Sequence, residues 1–267
     1  MKNKLRKCAF GLGLIVLVVV VLHGMNAVAA PVEVASAANI PLYANCRFPR
    51  PSGPDASYRL IENASGKPVM VFRLQDRDIG GCRSDRGPKF RERAEVRSAW
   101  LVKDRAYSLR FRAKFSNPSL RRWHSIFQIH QNDVNCVFLK MEMRRDGIDL
   151  YYRDAATQRN NCVDGGDKRR RQIPIFRGRG YEGKWLDVRV DFTLSDKANG
   201  RIEVFLDGAS RAVIDGANSL FSPYLKFGLY RIPKVKDGVS QPEGTATLDI
   251  EAVRLRPAKM APGYPKK

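Results

Sequence analysis

Three short segments hold the side chains best suited to acid–base and anion chemistry. Apart from His23 near the N-terminus, the histidines of the chain are His124 and His130, both in Trp123-His124-Ser125-Ile126-Phe127-Gln128-Ile129-His130-Gln131. Successive side chains of a strand alternate between faces. Read as a strand, the segment puts His124, Ile126, Gln128 and His130 on one side and Trp123, Ser125, Phe127 and Ile129 on the other. The second set suits a core. The first sets Gln128 and His130 side by side on the other face, where a sandwich can present a groove. Two histidines satisfied on an ordinary sheet face would account for the same pattern.

A second segment, Arg93-Ala94-Glu95-Val96-Arg97, places Arg93, Glu95 and Arg97 on one side of a strand. Such a triplet is either a surface ion-pair ladder, worth little, or a guanidinium fork held by Glu95 and aimed at a carboxylate. The third, Lys226-Phe227-Gly228-Leu229-Tyr230-Arg231, sets Lys226, Gly228 and Tyr230 on one face, with open space at Gly228 between a cation and a phenol.

These segments need a scaffold of strands, and the sequence supplies one. Tyr107, Leu109, Phe111, Ala113 and Phe115 alternate with Ser108, Arg110, Arg112 and Lys114, and Val188, Val190 and Phe192 repeat the pattern. Ile202, Val204 and Leu206 do the same and run into the turn pair Asp207-Gly208. Period-2 alternation broken by Gly, Asp, Asn and Pro turns, with no long helical periodicity beyond the N-terminus, predicts an antiparallel β-sandwich.

The order Arg-x-Glu-Val-Arg, Gln-Ile-His, Lys-Phe-Gly-Leu-Tyr-Arg resembles the jelly-roll polysaccharide lyases, the group of alginate, glucuronan and heparin lyase I type enzymes. Lys184-Trp185 and Gly200 to Gly208 are similar to back-sheet strands of that family, and the resemblance runs from about residue 90 to about 255. The form Lys-Phe-Gly-Leu-Tyr-Arg is nearer the heparin and glucuronan branch. The resemblance implies an all-β, concanavalin A-like jelly-roll sandwich of two antiparallel sheets. It also implies β-elimination on a uronic-acid polymer such as glucuronan, alginate or a heparin-like chain. By that resemblance Arg93 and Gln128 neutralise the substrate carboxylate, His130 is the base and Tyr230 the acid, with Tyr230 able to serve as both on a single sugar face. Arg97 and Lys226 add cationic support, and His124 and Lys140 are sugar contacts. No metal or cofactor is required by this chemistry, and a structural calcium is left open.

Composition agrees with an anionic partner. The chain of 267 residues carries 48 Lys+Arg against 27 Asp+Glu, a net charge of +21. Lys2, Lys4, Arg6 and Lys7, an apolar run from Ala9 to Leu22 and small residues at Ala27, Ala29 and Ala30 read as a signal peptide over 1–30. Its four basic side chains leave +17 on a mature chain expected to be secreted or periplasmic, monomeric and free of the membrane. A linker at 31–40, one domain over 41–257 and a tail at 258–267 complete the expected organisation. In an oxidising compartment Cys46, Cys82, Cys136 and Cys162 should form disulfides. Sequence proximity favours Cys46 with Cys82 and Cys136 with Cys162. The basic loop from Lys168 to Arg179 reads as a solvated face or a rim that steers a polyanion.

Three other functions would account for parts of this pattern. A lectin-like carbohydrate-binding module could use the same sandwich without pairing His130 with Tyr230. A glycoside hydrolase normally needs two facing carboxylates, and no strand offers a closely spaced acidic pair. A nucleic-acid binder would explain the charge by phosphate contacts, but no nucleic-acid module is recognisable, and nucleic acid is not expected as a partner.

Overall fold

The computed structural model describes residues 38–82, 85, 90–117, 120, 122–131, 137–154, 171–236 and 239–258. The expected signal peptide, most of the linker and tail, the Cys136–Cys162 pairing and Lys168 to Arg170 lie outside them. In chain order the strands are β1 (Leu42–Ala44), β2 (Tyr58–Glu62), β3 (Pro68–Leu74), β4 (Glu92–Ser98), β5 (Ala106–Ser116) and β6 (His124–Gln131). There follow β7 (Val137–Arg144), β8 (Gly147–Tyr152), β9 (Arg171–Arg177), β10 (Trp185–Thr193) and β11 (Arg201–Leu206). The last are β12 (Ala209–Asp215), β13 (Pro223–Arg231), β14 (Val235–Lys236), β15 (Val239–Ser240) and β16 (Ala246–Pro257).

Two seven-stranded antiparallel sheets face each other, one ordered β1-β4-β13-β6-β7-β8-β9 and the other β12-β11-β10-β5-β16-β3-β2. This is the expected jelly-roll sandwich. All three alternating segments behave as anticipated: Leu109, Phe111, Ala113 and Phe115 of β5 point inward, as do Val188, Val190 and Phe192 of β10 and Ile202, Val204 and Leu206 of β11. Asp207 and Gly208 both have positive φ, 50° and 80°, which is the backbone a tight hairpin between β11 and β12 requires.

The core is anchored directly beneath the segments that carry the chemistry. Phe111 of the back sheet lies 5.4 Å from Phe127 on β6 and 5.5 Å from Phe227 on β13, and those two rings are 5.4 Å apart. Each buried phenylalanine contributes about 2 kcal/mol through lost apolar exposure. The trio therefore fixes β6 and β13 side by side at the positions next to Gln128 and Lys226. The segment preceding β4 is part of the same sandwich: β1 pairs with β4, β2 and β3 extend the back sheet, and a Cys46–Cys82 disulfide joins them as expected.

Candidate active site

The outer face of the front sheet breaks the usual rule that polar strand residues sit in water. Arg93, Glu95, Gln128, His130, Lys140, Glu142 and Lys226 are all buried, although charged groups are rarely buried unless they are paired. Strand register arranges them in lines. Arg97 lies opposite Lys226, Lys226 opposite Gln128, Gln128 opposite Lys140, and Lys140 opposite Tyr151. A second line runs from Arg93 through Tyr230, Ser125 and Glu142 to Asp149. Between the lines stands Glu95, opposite Gly228. His130, opposite Tyr224, lies beyond the first line.

Glu95 organises the centre. Its Oε1 accepts from Gln128 Nε2 at 2.5 Å and its Oε2 faces Arg93 Nη1 at 3.4 Å. Arg93 Nη2 is 2.6 Å from Asp85 Oδ1, and the guanidinium lies 5.0 Å from the Tyr230 ring centroid. Both arms of Arg93 are thus held, while its Nε is buried with no hydrogen-bond partner among the described residues. A buried donor left this way is costly in the free protein.

The electrostatics sort the acid–base groups. His130, 7% exposed, has its pKa lowered to about 3, first by burial and then by Lys226 and Arg93. It is therefore neutral at ordinary pH. Its Nδ1 lies 3.1 Å from both the carbonyl oxygen and the amide nitrogen of Gln131, and the tautomer with the proton on Nδ1, donating to that carbonyl, is the one that leaves the Nε2 lone pair for a substrate proton. Tyr230 is pushed up by burial, against the pull of Arg93 and Arg91, and so stays protonated. Lys226 is lowered to about 8, chiefly by burial and partly opposed by Glu95. Arg93 acts on His130, Tyr224, Lys226 and Tyr230 alike, which marks it as the electrostatic hub of the face.

A family model described as polysaccharide lyase matches residues 55–249. The chain belongs to the polysaccharide lyase family. Among solved structures, the endo-β-1,4-glucuronan lyase from the fungus Trichoderma reesei matches with TM-score 0.55 and 14% identity over 75% of this chain and 87% of that one. Alginate lyase PA1167 from Pseudomonas aeruginosa matches with TM-score 0.54 and 16% identity over 80% of this chain and 98% of that one. The alginate lyase from Corynebacterium sp. gives 0.52 and 15% over 78% and 82%. At such identities the likeness is one of fold. No curated protein matches. Family membership makes this chain an enzyme, which sets aside the lectin-like alternative.

In this lyase seven of the eight expected site residues, Arg93, Arg97, Gln128, His130, Lys140, Lys226 and Tyr230, share the outer face. His124 does not. Ser125 pairs with Glu142 and Phe127 with Met141, so Ile126 is an extra residue in β6, a bulge. One extra residue reverses the faces beyond it. His124 consequently points inward, 0% exposed, with its ring 5.5 Å from Phe115 and its Nε2 3.1 Å from Arg231 Nη1. The expectation that His124 is a sugar contact beside His130 is corrected: it belongs to a buried cluster in which Arg231 also binds Glu92 and Asp76. The same bulge brings Trp123, expected in the core, to the outer face, where its ring lies 5.8 Å from that of Tyr230.

Lys140 is on the expected face, but its ammonium is ion-paired with Glu142 and lies 4.0 Å from the Trp123 ring centroid. Gly228 is not an opening between Lys226 and Tyr230: at φ 128° a β-carbon there would meet Ala94 O at 2.2 Å, so the backbone of β4 occupies the space. Strand alternation did not reveal Asp85, which lies in a loop. Nor was Tyr224 singled out, although it shares the parity of Lys226 and its ring is 5.0 Å from that of His130. In the basic loop, the described Arg171, Arg177 and Arg179 pair with Asp154, Asp149 and Glu182.

Proposed function

We propose that this lyase is exported and cleaves a uronic-acid polymer by β-elimination. The observation that carries the proposal is the Glu95-held pair Arg93 and Gln128, with a buried unpartnered Arg93 Nε–H, on the same face as a neutral His130 and a protonated Tyr230. A uronate carboxylate resists formation of a carbanion at the adjacent carbon, and fixed donors aimed at the developing charge lower that barrier. Arg93, Gln128 and Lys226 supply those donors. His130 Nε2 takes the proton on the carbon bearing the carboxylate. The electron pair of that C–H bond becomes a carbon–carbon double bond as the neighbouring carbon–oxygen bond breaks, and Tyr230 gives its proton to the departing glycosidic oxygen. Proton return from the imidazolium to the phenolate, through solvent, resets the site. Side chains carry every step, so the mechanism calls for no metal.

Acidic polymers fit the charge of +17 left once the expected signal peptide over 1–30 is removed, and the solved neighbours are named for glucuronan and alginate, both uronate polymers. The Cys46–Cys82 disulfide supports an oxidising compartment, secreted or periplasmic. The test is ultraviolet absorbance during incubation with glucuronan, alginate and heparin-like chains. Absorbance should rise with at least one substrate for the wild type and remain flat for Tyr230→Phe. A flat wild-type trace on every uronate would overturn the proposal, and an unimpaired Tyr230→Phe would remove the assigned acid.

A further inference from the structure

Beside Tyr230, and adjoining the carboxylate-neutralising centre, the outer face opens into a cavity of about 170 Å³. Its walls include Trp123, Lys140, Tyr151, Tyr152, Arg153 and Tyr230. Arg93, Gln128 and His130 are not among the residues lining it, so the cavity is not the seat of the uronate whose carboxylate they neutralise. It adjoins the hydroxyl that protonates the leaving oxygen.

The aromatic walls are fixed in advance. The Lys140 ammonium is 4.0 Å from the Trp123 ring centroid and 5.4 Å from that of Tyr151, and is itself anchored to buried Glu142. Tyr151 is pinned a second time, because its hydroxyl accepts from Arg144 Nη1 at 2.8 Å and the Arg144 guanidinium lies 5.8 Å from the ring. Charges on this part of the face are matched: Glu142 and Asp149 are paired with Lys140, Arg144 and Arg177. What the cavity offers a ligand is therefore aromatic surface held rigid, more than unspent charge. Rigid aromatic surface of this kind gives contact area at little entropic cost.

We infer that the Trp123 cavity is the subsite for the sugar on the leaving-oxygen side of the scissile bond, which it grips by stacking a pyranose ring on Trp123 and Tyr151. The inference rests on the elimination chemistry proposed above, since that chemistry makes Tyr230 the donor to the oxygen joining the two sugars. It also gives Lys140 a different role from the sugar contact expected of it. Lys140 is a positioning residue that holds the two rings. An aromatic platform next to the acid would hold the leaving ring with its glycosidic oxygen toward the phenol, so binding energy from a non-reacting sugar is spent on orientation.

The experiment has a kinetic arm and a binding arm. On whichever uronate polymer the wild type cleaves, Trp123→Ala should raise KM about tenfold with kcat changed less than threefold. Trp123→Phe, which keeps a ring, should recover most of the loss. In the Tyr230→Phe background, glucuronan or alginate oligosaccharides should change tryptophan emission, and the change should vanish in Trp123→Phe but persist in Trp185→Phe. A wild-type KM in Trp123→Ala, or an emission change that survives Trp123→Phe, overturns the subsite. Equal impairment of the Ala and Phe variants also overturns it, because that points to packing. If Trp123→Ala fails to fold, the emission arm decides. Absence of elimination by the wild type on any uronate would instead defeat the catalytic proposal, while the emission arm would still read the subsite.

Discussion

Gln128 donates to Glu95 across β13, the strand that lies between their own, at 2.5 Å. Gly228 of the intervening strand lies directly opposite Glu95, and the β4 backbone fills the space where its β-carbon would stand. Glu95 thus ties Gln128 of β6 to Arg93 of β4, which in the proposed mechanism form one carboxylate-binding unit. Glu95→Gln retains the size of the side chain but removes the charge that orients both donors. We expect kcat/KM to fall about 10²-fold, the scale of a small misplacement of catalytic groups, with little change in thermal midpoint. Steady-state kinetics on the cleaved polymer check this.

In the proposed mechanism Lys226 sets the alkaline limit. With its pKa lowered to about 8, the ammonium is present below that pH and lost above it. A neutral lysine no longer helps to neutralise the carboxylate, so kcat/KM for the free enzyme should fall as pH rises through about 8. Lys226→Arg keeps its charge over this range, and its alkaline limb should move upward. A limb unmoved in that variant would assign the titration to another group.

The buried histidines link acid to unfolding. His124 and His130 both have pKa values lowered to about 3, against about 6.5 for a free imidazole. Between those values the unfolded chain binds protons that the folded one does not, so stability is full above about pH 6.5 and declines as pH falls toward 3. His124→Gln removes one of the two contributions. Its thermal midpoint should depend less steeply on pH in that window, whatever its absolute stability.

The disulfide reaches the site through Asp85. Cys46–Cys82 spans 36 residues, and Cys82 N donates to Asp85 Oδ2 at 3.1 Å while Asp85 Oδ1 holds Arg93. Replacing both cysteines with serine should cost about 2 to 4 kcal/mol of stability, measured by denaturant unfolding. Below the unfolding transition, the same variant should show a raised KM, because the carboxylate that holds Arg93 is less firmly placed.

Much of this was legible in the sequence, and the exchange of His124 with Trp123 has one cause. Alternation along β5, β10 and β11 located the back sheet, and the parity of β4 and β13 put Arg93, Arg97, Lys226 and Tyr230 on one face. In β6 the same arithmetic succeeded from Phe127 to His130 and failed before them. The bulge at Ile126 inserts one residue and so exchanges His124 with Trp123 between core and outer face. Nothing in Trp-His-Ser-Ile-Phe announces that extra residue, because a bulge is set by pairing with β7 and β13. Asp85 and the Trp123 cavity were hidden for a related reason: each depends on residues brought together from distant parts of the chain.

The most direct test of elimination is the structure of the newly formed chain ends. Wild-type digestion of the cleaved uronate polymer, followed by mass spectrometry and proton NMR, should give oligosaccharides whose new non-reducing ends carry a carbon–carbon double bond next to the carboxylate, each lighter by one water than the hydrolytic product. Saturated ends with the full hydrolytic mass would contradict the assignment of His130 and Tyr230 as base and acid of an elimination.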